Sequence, residues 1–206
     1  TTKRCSSEKL EFTANYTMGF TQPTKIPDLC NSAEYATLVN EVDYYDQQSP
    51  TYSPSDIQIY SDGSDPWSYP VTDWFKEVLK PWSMQQNGNI TMSGGSEKVQ
   101  SYVSFSSRSQ DGFFYNSASK YAQNDLRTNI DFKVSDNIKL SLDASMRMEQ
   151  REGPTAWSAT IFRDLMTALP IQVAEWPTGE PGPPLDPTTQ NNPLVQATPT
   201  AGENKI

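Results

Sequence analysis

The chain has 206 residues, a formal net charge of −9 at pH 7 and a mean hydropathy of −0.68. A membrane-spanning helix needs about 20 predominantly apolar residues, and no such stretch is present, so a helical membrane protein is excluded. Phosphate contacts need clustered Lys and Arg, and this acidic chain has no basic run, so a nucleic-acid partner is also excluded.

The residue types exclude most catalytic and metal chemistry. Histidine is absent, which removes His-based triads and Cys/His zinc sites, so we expect no cofactor and no metal. Cys5 and Cys30 are predicted to be free thiols because one strand crossing separates them. Carboxylates such as Glu149 and Glu152 show no glycosidase-type pairing, so we expect no enzyme. The Asp-rich stretch 61–66 lacks calcium-loop spacing and is interpreted as a turn.

The first element is a strand. Apolar and polar side chains alternate from Leu10 to Phe20 in the sequence LEFTANYTMGF. Because successive side chains of a strand point to opposite faces, this period of two predicts a β-strand with one apolar face. The alternation lasts about eleven residues, which suits a tilted strand that crosses a bilayer.

A long acidic and aromatic loop follows, taken as residues 22–83. Ten acids against three lysines give it a charge of −7, and it holds ten aromatic residues. Asn31 and Glu34 have capping-box spacing, which predicts a short helix over residues 31–42. Rings beside carboxylates suit a sugar-binding surface, although such rings also order long loops by packing. The candidate substrate contacts are Asp62, Asp65, Trp67, Tyr69 and Trp74.

Two hairpins come next. Gly94 and Gly95 lead a short turn between predicted strands at 86–93 and 99–109. A second hairpin joins the strand NDLRTNIDFKV to the strand IKLSLDASMRMEQRE through the turn residues 135–137.

The last of these strands has the clearest alternation in the chain. We predict that one face of the sheet contacts lipid, through Leu10, Phe12, Phe20, Ile138, Leu140, Leu142 and Met146. We predict that the other face lines a lumen, with the charged residues Arg127, Asp131, Lys139, Asp143, Arg147 and Glu149. Opposite charges on neighbouring strands commonly satisfy one another, so these groups need not contact a substrate.

The remaining residues follow the last long strand. Apolar residues at helical spacing from Trp157 to Leu169 predict a helix ended by Pro170, and a Pro-rich segment comes after it. Long and short links between strands therefore alternate. In an up-and-down sheet, that alternation puts all short turns at one end and all long loops at the other, as in outer-membrane barrels.

Four stretches carry a family resemblance: PTKIPDLCNSAEYATLVNE, DGSDPWSYPVTDWFKEVLK, NITMSGGSEKVQSYVSFSSRSQDGFF and LRTNIDFKVSDNIKLSLDAS. They resemble, in the same order, signature stretches of the SusC/RagA family of TonB-dependent outer-membrane transporters. The opening TTKR resembles the last plug strand before the family's barrel.

The resemblance implies an all-β fold, an antiparallel transmembrane β-barrel segment of about five strands from a 22-stranded barrel, with short helices in long extracellular loops. It divides the chain into the end of the plug (1–8), the first barrel strands with their loops (9–150) and an extracellular loop with a short helix (151–206). The chain would thus be a fragment of a longer protein.

The family's function is the import of oligosaccharides or peptides across the outer membrane. The resemblance implies a SusD-like surface lipoprotein as partner, TonB acting through a plug that this chain lacks, and outer-membrane lipid around the barrel. Glycan and peptide stay open as cargo. The competing hypothesis is a secreted β-sandwich, either a carbohydrate-binding module or an adhesin, in which a second sheet would bury the apolar face.

Overall fold

A computed structural model describes residues 9–115, 119–185, 191–198 and 203–205. The predictions for Cys5 and for the plug segment 1–8 lie outside these residues. Cys30, the described cysteine, is a free thiol and is half-buried.

The described strands form one antiparallel sheet in simple up-and-down order. The strands are β1 (Glu11–Thr21), β2 (Ser83–Gly95), β3 (Val99–Asp111), β4 (Lys120–Ser135), β5 (Ile138–Pro154) and β6 (Glu203–Lys205). Each strand pairs with the next one in sequence, and the sheet is open because its two outer strands do not pair with each other. The five long strands are confirmed, and β5 extends two residues beyond the predicted strand, which ended at residue 152.

The helices all lie in the long links between strands. They are α1 (Ser32–Tyr45), α2 (Pro54–Asp62), α3 (Trp74–Val78), α4 (Ser158–Thr167) and α5 (Pro193–Ala197). The predicted capping box of α1 is present, since the Asn31 side chain accepts from the Glu34 N–H and the Glu34 carboxylate accepts from the Asn31 N–H. None of the described helices is long and apolar enough to cross a membrane.

The two short turns lie at one end of the sheet. They join β2 to β3 and β4 to β5, as predicted. Gly95 is needed in the first turn because a Cβ atom there would collide with the carbonyl oxygen of Val99. The long links therefore lie together at the opposite end.

The principal hydrophobic cluster of the described residues belongs to these long links and not to the sheet. We call it the loop core, and its buried residues are Trp74, Phe75, Val78, Leu79, Phe114, Ile161, Leu165, Ala168, Ala174, Leu194 and Ala197. Three different links supply it, and a bridge between Leu79 and Phe114 fastens two of them. The long links thus form one packed layer at the end of the sheet.

Candidate functional site

The register places the apolar side chains of the five long strands on one side of the sheet. Phe12 lies opposite Met92, and Met92 lies opposite Val103, so these residues share a side with every second residue along their strands. We call this side the apolar face. Its large exposed side chains are Leu10, Phe12, Tyr16, Met18, Phe20, Ile90, Met92, Val99, Phe105, Leu126, Ile138, Leu140, Leu142, Met146 and Met148.

All seven residues predicted to contact lipid belong to the apolar face. They are not buried against a second protein layer within the described residues, since Phe12 is 66% exposed and Leu142 is 54% exposed. A β-sandwich would bury this face, as sandwich sheets pack about 10 Å apart with interdigitated side chains. The structure therefore gives no support to the sandwich hypothesis.

The opposite side, which we call the polar face, carries all six residues predicted to line a lumen. Cross-strand bonds satisfy some of their charges. The Arg147 guanidinium donates to the Asp125 carboxylate at 2.6 Å. The Tyr121 hydroxyl donates to the Glu149 carboxylate at 2.8 Å. The ion pair with Asp125 thus neutralises Arg147, whereas Glu149 is held by a hydrogen bond from a neutral hydroxyl.

Hydrogen bonds join the link before β2 to the link after β5. The Ser32 hydroxyl lies 3.0 Å from the carbonyl oxygens of both Pro70 and Pro170, and it donates to one of them at a time. The indole N–H of Trp74 donates to the carbonyl of Leu169 at 2.8 Å. Trp74 is only 3% exposed and belongs to the loop core, so little of its side chain is open to a substrate.

Two of the predicted carboxylates hold turns. Asp62 accepts a hydrogen bond from the Ser64 backbone N–H at 3.0 Å, and Asp65 accepts one from the Ser68 N–H at 3.1 Å. Hydrogen bonds from the side chain and backbone of Ser64 lower the pKa of Asp62, and those of Ser68 lower the pKa of Asp65. This geometry is the turn expected for 61–66. No group of three or more metal-ligating side chains occurs in the part of the chain that the structure describes.

Tyr69 fastens α2 to the segment that follows it. Its hydroxyl donates to Asp56 at 2.7 Å, and its ring meets the Tyr60 ring edge-on at 5.2 Å. Hydrogen bonds from the Ser53 hydroxyl and then from Tyr69 lower the pKa of Asp56, while the bond to Asp56 raises the pKa of Tyr69. Tyr69 therefore has a structural contact in the loop layer.

Among the three aromatic residues predicted to contact substrate, Trp67 is the most exposed. Its ring stacks on the ring of Trp176, with centroids 6.4 Å apart and planes 26° apart. Trp67 is 50% exposed and Trp176 is 38% exposed. The pair joins two links and leaves aromatic surface open, which suits contact with a sugar ring or an apolar side chain. Sequence reasoning missed Trp176, since it lies in an irregular Pro-rich segment with no periodic pattern.

A mainly apolar groove of 690 Å³ lies between three segments, residues 26–31, 71–76 and 166–170. Its apolar walls include Ile26, Val71 and Met166. The Lys76 ammonium at the groove forms an ion pair with Asp73 at 2.6 Å. Sequence reasoning did not find this groove, because segments far apart in the chain must pack before it exists.

A buried carboxylate ties α4 to α5. Asp164 is 1% exposed and accepts hydrogen bonds from the Arg163 guanidinium at 2.9 Å and from the Gln196 amide at 2.9 Å. The charge is thus paired within the layer, as a buried carboxylate requires. Sequence reasoning missed this contact as well.

One curated relative matches the chain in sequence, and no family model does. The chain is 29% identical over 134 residues to TonB-dependent receptor P26 of Formosa agariphila. The match covers 65% of this chain and 12% of that receptor, so the chain spans a small part of its relative.

Solved structures match the fold over nearly the whole chain. The RagAB peptide importer in its closed-closed state gives a TM-score of 0.64, and a structure of the RagAB peptide transporter gives 0.66. Each match has 15% sequence identity and covers 94% of this chain and 25% of the other. These relatives are a receptor and a transporter, which agrees with the expectation that the chain is not an enzyme. The resemblance drawn from the sequence is thereby confirmed as a similarity: the chain is similar in sequence to part of a TonB-dependent receptor, and its fold matches a quarter of a RagAB chain.

Proposed function

We propose that the chain is part of a TonB-dependent outer-membrane importer, in which the sheet is a segment of the barrel wall and the loop layer is extracellular. The observation that carries this proposal is the apolar face, which runs uncovered across five strands while a complete core occupies the loop layer. A water-soluble protein places its core against its sheet. This chain places its core at the end of the sheet.

Lipid is the covering that the apolar face requires. Exposed apolar patches on monomeric soluble proteins rarely exceed a few hundred Å² (about 300–600 Å²). The apolar face holds fifteen large exposed side chains, whereas exposed apolar residues on such a surface are usually isolated from one another. A lipid-covered strand must have its backbone groups paired, so the open edges of the sheet would pair with further barrel strands.

The proposed cargo is an oligosaccharide or a peptide, and the stacked pair Trp67 and Trp176 is its proposed contact on this chain. The RagAB peptide importer shares the fold, which supports import. A SusD-like lipoprotein is the proposed partner over the loop layer, and TonB would act through a plug outside this stretch. The polar face would line the lumen.

Transport can be tested with the full natural polypeptide that carries these residues. Cells that produce it would be given fluorescent peptides or fluorescent oligosaccharides, with and without functional TonB. Import requires TonB-dependent accumulation of one class of cargo. Equal accumulation without TonB, or no accumulation of either class, would contradict the proposal.

The tryptophan pair needs its own test. Replacement of Trp67 and Trp176 by Ala should weaken cargo binding by about three- to tenfold, which corresponds to about 0.5–1.5 kcal/mol for lost aromatic contact. Trp157→Ala is the matched control, since Trp157 is 83% exposed and makes no contribution to the pair. Unchanged affinity in the double variant would assign the pair to loop packing or to the lipoprotein contact.

A further inference from the structure

The apolar residues do not occupy the same level on each strand. On β5 they run from Ile138 to Met148, after which Gln150 continues the same side. On β1 they run from Leu10 to Phe20. Both runs span eleven residues. Their positions in the sheet can be compared because the register is continuous from β1 to β5.

The register shows that the run on β1 is displaced toward the loop end. Leu142 lies opposite Ile130, which lies opposite Ser101, and Ser101 lies opposite Gly94. Leu10 packs beside Gly94, since a Cβ atom on Gly94 would meet the Cα of Leu10 at 3.0 Å. Leu10 is therefore level with Leu142, four residues above the first apolar residue of β5.

The other end of the run is displaced by the same amount. Gln150 lies opposite Ala122, Ala122 opposite Ser109, Ser109 opposite Gln86, and Gln86 opposite Met18. A polar residue of β5 and an apolar residue of β1 thus share one row of the sheet. Near the turns, Phe132 on β4 and Val99 on β3 are both level with Leu140, one apolar position above Ile138.

The displacement of the apolar run between β5 and β1 gives the slope of the apolar band across the sheet. Four residues at about 3.3 Å each make a displacement of about 13 Å, and four strand spacings of about 4.8 Å make about 19 Å. The angle between the edge of the apolar band and a line perpendicular to the strands is therefore about 35°. If the band edge is parallel to the membrane, the strands are tilted by the same angle, which is within the range of about 35–45° for barrel strands. Ten steps along a strand, about 33 Å, then project to about 27 Å, close to the apolar band of about 25 Å.

The geometry points to a specific level for the bilayer on this chain: its outer surface crosses β5 just above Met148 and crosses β1 near Phe20. This inference rests on the proposed function and adds the position of the lipid. The occupant is hydrocarbon, because charged and amide side chains end the band on β5 and β4, where Glu152 lies opposite Lys120. The outward side of β3, β4 and β5 beyond the band thus stands above the membrane in water.

One aromatic residue near β1 and β2 fits this level. Trp82 immediately precedes β2 and is 55% exposed. It is two residues before Met84, which pairs with Phe20, so it lies nearer the loops than that row. Tryptophan is enriched at membrane interfaces, where its ring is apolar and its N–H is polar. Trp82 would therefore lie at the outer interface.

Spin labels can measure the level directly. Single cysteines at Met18 and Gln150 would be introduced into the full natural polypeptide, with Cys5 and Cys30 changed to Ser, and reconstituted in phosphatidylcholine vesicles. Oxygen partitions into hydrocarbon and a charged nickel chelate stays in water. We expect a several-fold higher ratio of oxygen to nickel collisions at Met18 than at Gln150. Both side chains are exposed, so the labels leave the loop core intact.

Labels at Phe12 and Leu142 separate two kinds of failure. Both positions lie inside the band, so both should show the oxygen-rich signal. If they instead contact the nickel reagent, the membrane proposal itself fails. If they contact oxygen while Met18 and Gln150 give equal ratios, or the reverse order, the sheet is in lipid but the slanted level is overturned.

Discussion

The sheet and the loop layer use apolar residues in opposite ways. On the sheet, Phe12 and Leu142 leave more than half of their surface exposed, whereas Ile161 and Leu165 in the loop core are 0% exposed. The loop layer can therefore be stabilised by burial within the chain itself. The sheet depends on what surrounds it. The difference shows that a hydrophobic pattern identifies an interface without identifying the material on its other side.

The largest effect is expected in the loop core. Leu165→Ala would leave a cavity and cost about 2–5 kcal/mol of local stability. Hydrogen exchange of α4 should accelerate in the full polypeptide in membranes. Leu142→Ala is the matched control, and it should leave exchange in α4 unchanged. If the control accelerates exchange equally, the two regions are not independent.

The sheet should show its own dependence on lipid. Leu142→Arg, near the middle of the apolar band, should cost about 2–4 kcal/mol in a bilayer. Folding into phospholipid vesicles, followed by urea titration, measures this cost. Asp143→Arg places the same side chain on the polar face and should cost much less. Equal costs at the two positions would count against lipid on the apolar face.

A smaller effect is expected at the start of α1. Asn31→Ala removes the side-chain acceptor of the capping box and should cost about 1 kcal/mol, within the usual range of about 0.5–2. The change would appear as faster exchange in the first turn of α1. Asn31→Asp keeps an acceptor and should preserve slow exchange. Fast exchange in both variants would show that the cap is not what holds this turn.

The smallest effect concerns the bond between Tyr69 and Asp56. That bond helps to lower the pKa of Asp56, so its contribution to stability is present above the unfolded pKa and is lost as pH falls through the folded pKa. Tyr69→Phe should raise the Asp56 pKa toward its ordinary value, which NMR titration of the carboxyl carbon would show. An unchanged titration would mean that Ser53 alone sets this pKa.

The sheet could be predicted from sequence because the alternation of apolar and polar residues within each long strand shows which side chains share a face. The alternation in β1 and β5 needs no knowledge of neighbours, and the turn after Gly94 is marked by its own residues. The same holds for α1, whose start is encoded by Asn31 and Glu34.

The loop layer could be predicted only in part because its contacts join distant segments. The start of α2 is an exception, because its capping box of Ser53 and Asp56 is a local sequence signal. The pairing of Trp67 with Trp176 has no local signature. Trp74 illustrates the ambiguity, because an aromatic residue in a loop can be a core residue or a contact, and only its burial distinguishes the two.

The open sheet has a consequence for handling the chain in the laboratory. In buffer, two copies would bury their apolar faces by associating with each other. The backbone groups at the open edge of β1 would pair with the edges of further copies. We therefore expect the isolated polypeptide to precipitate from water and to disperse in a mild surfactant, which supplies the missing coat.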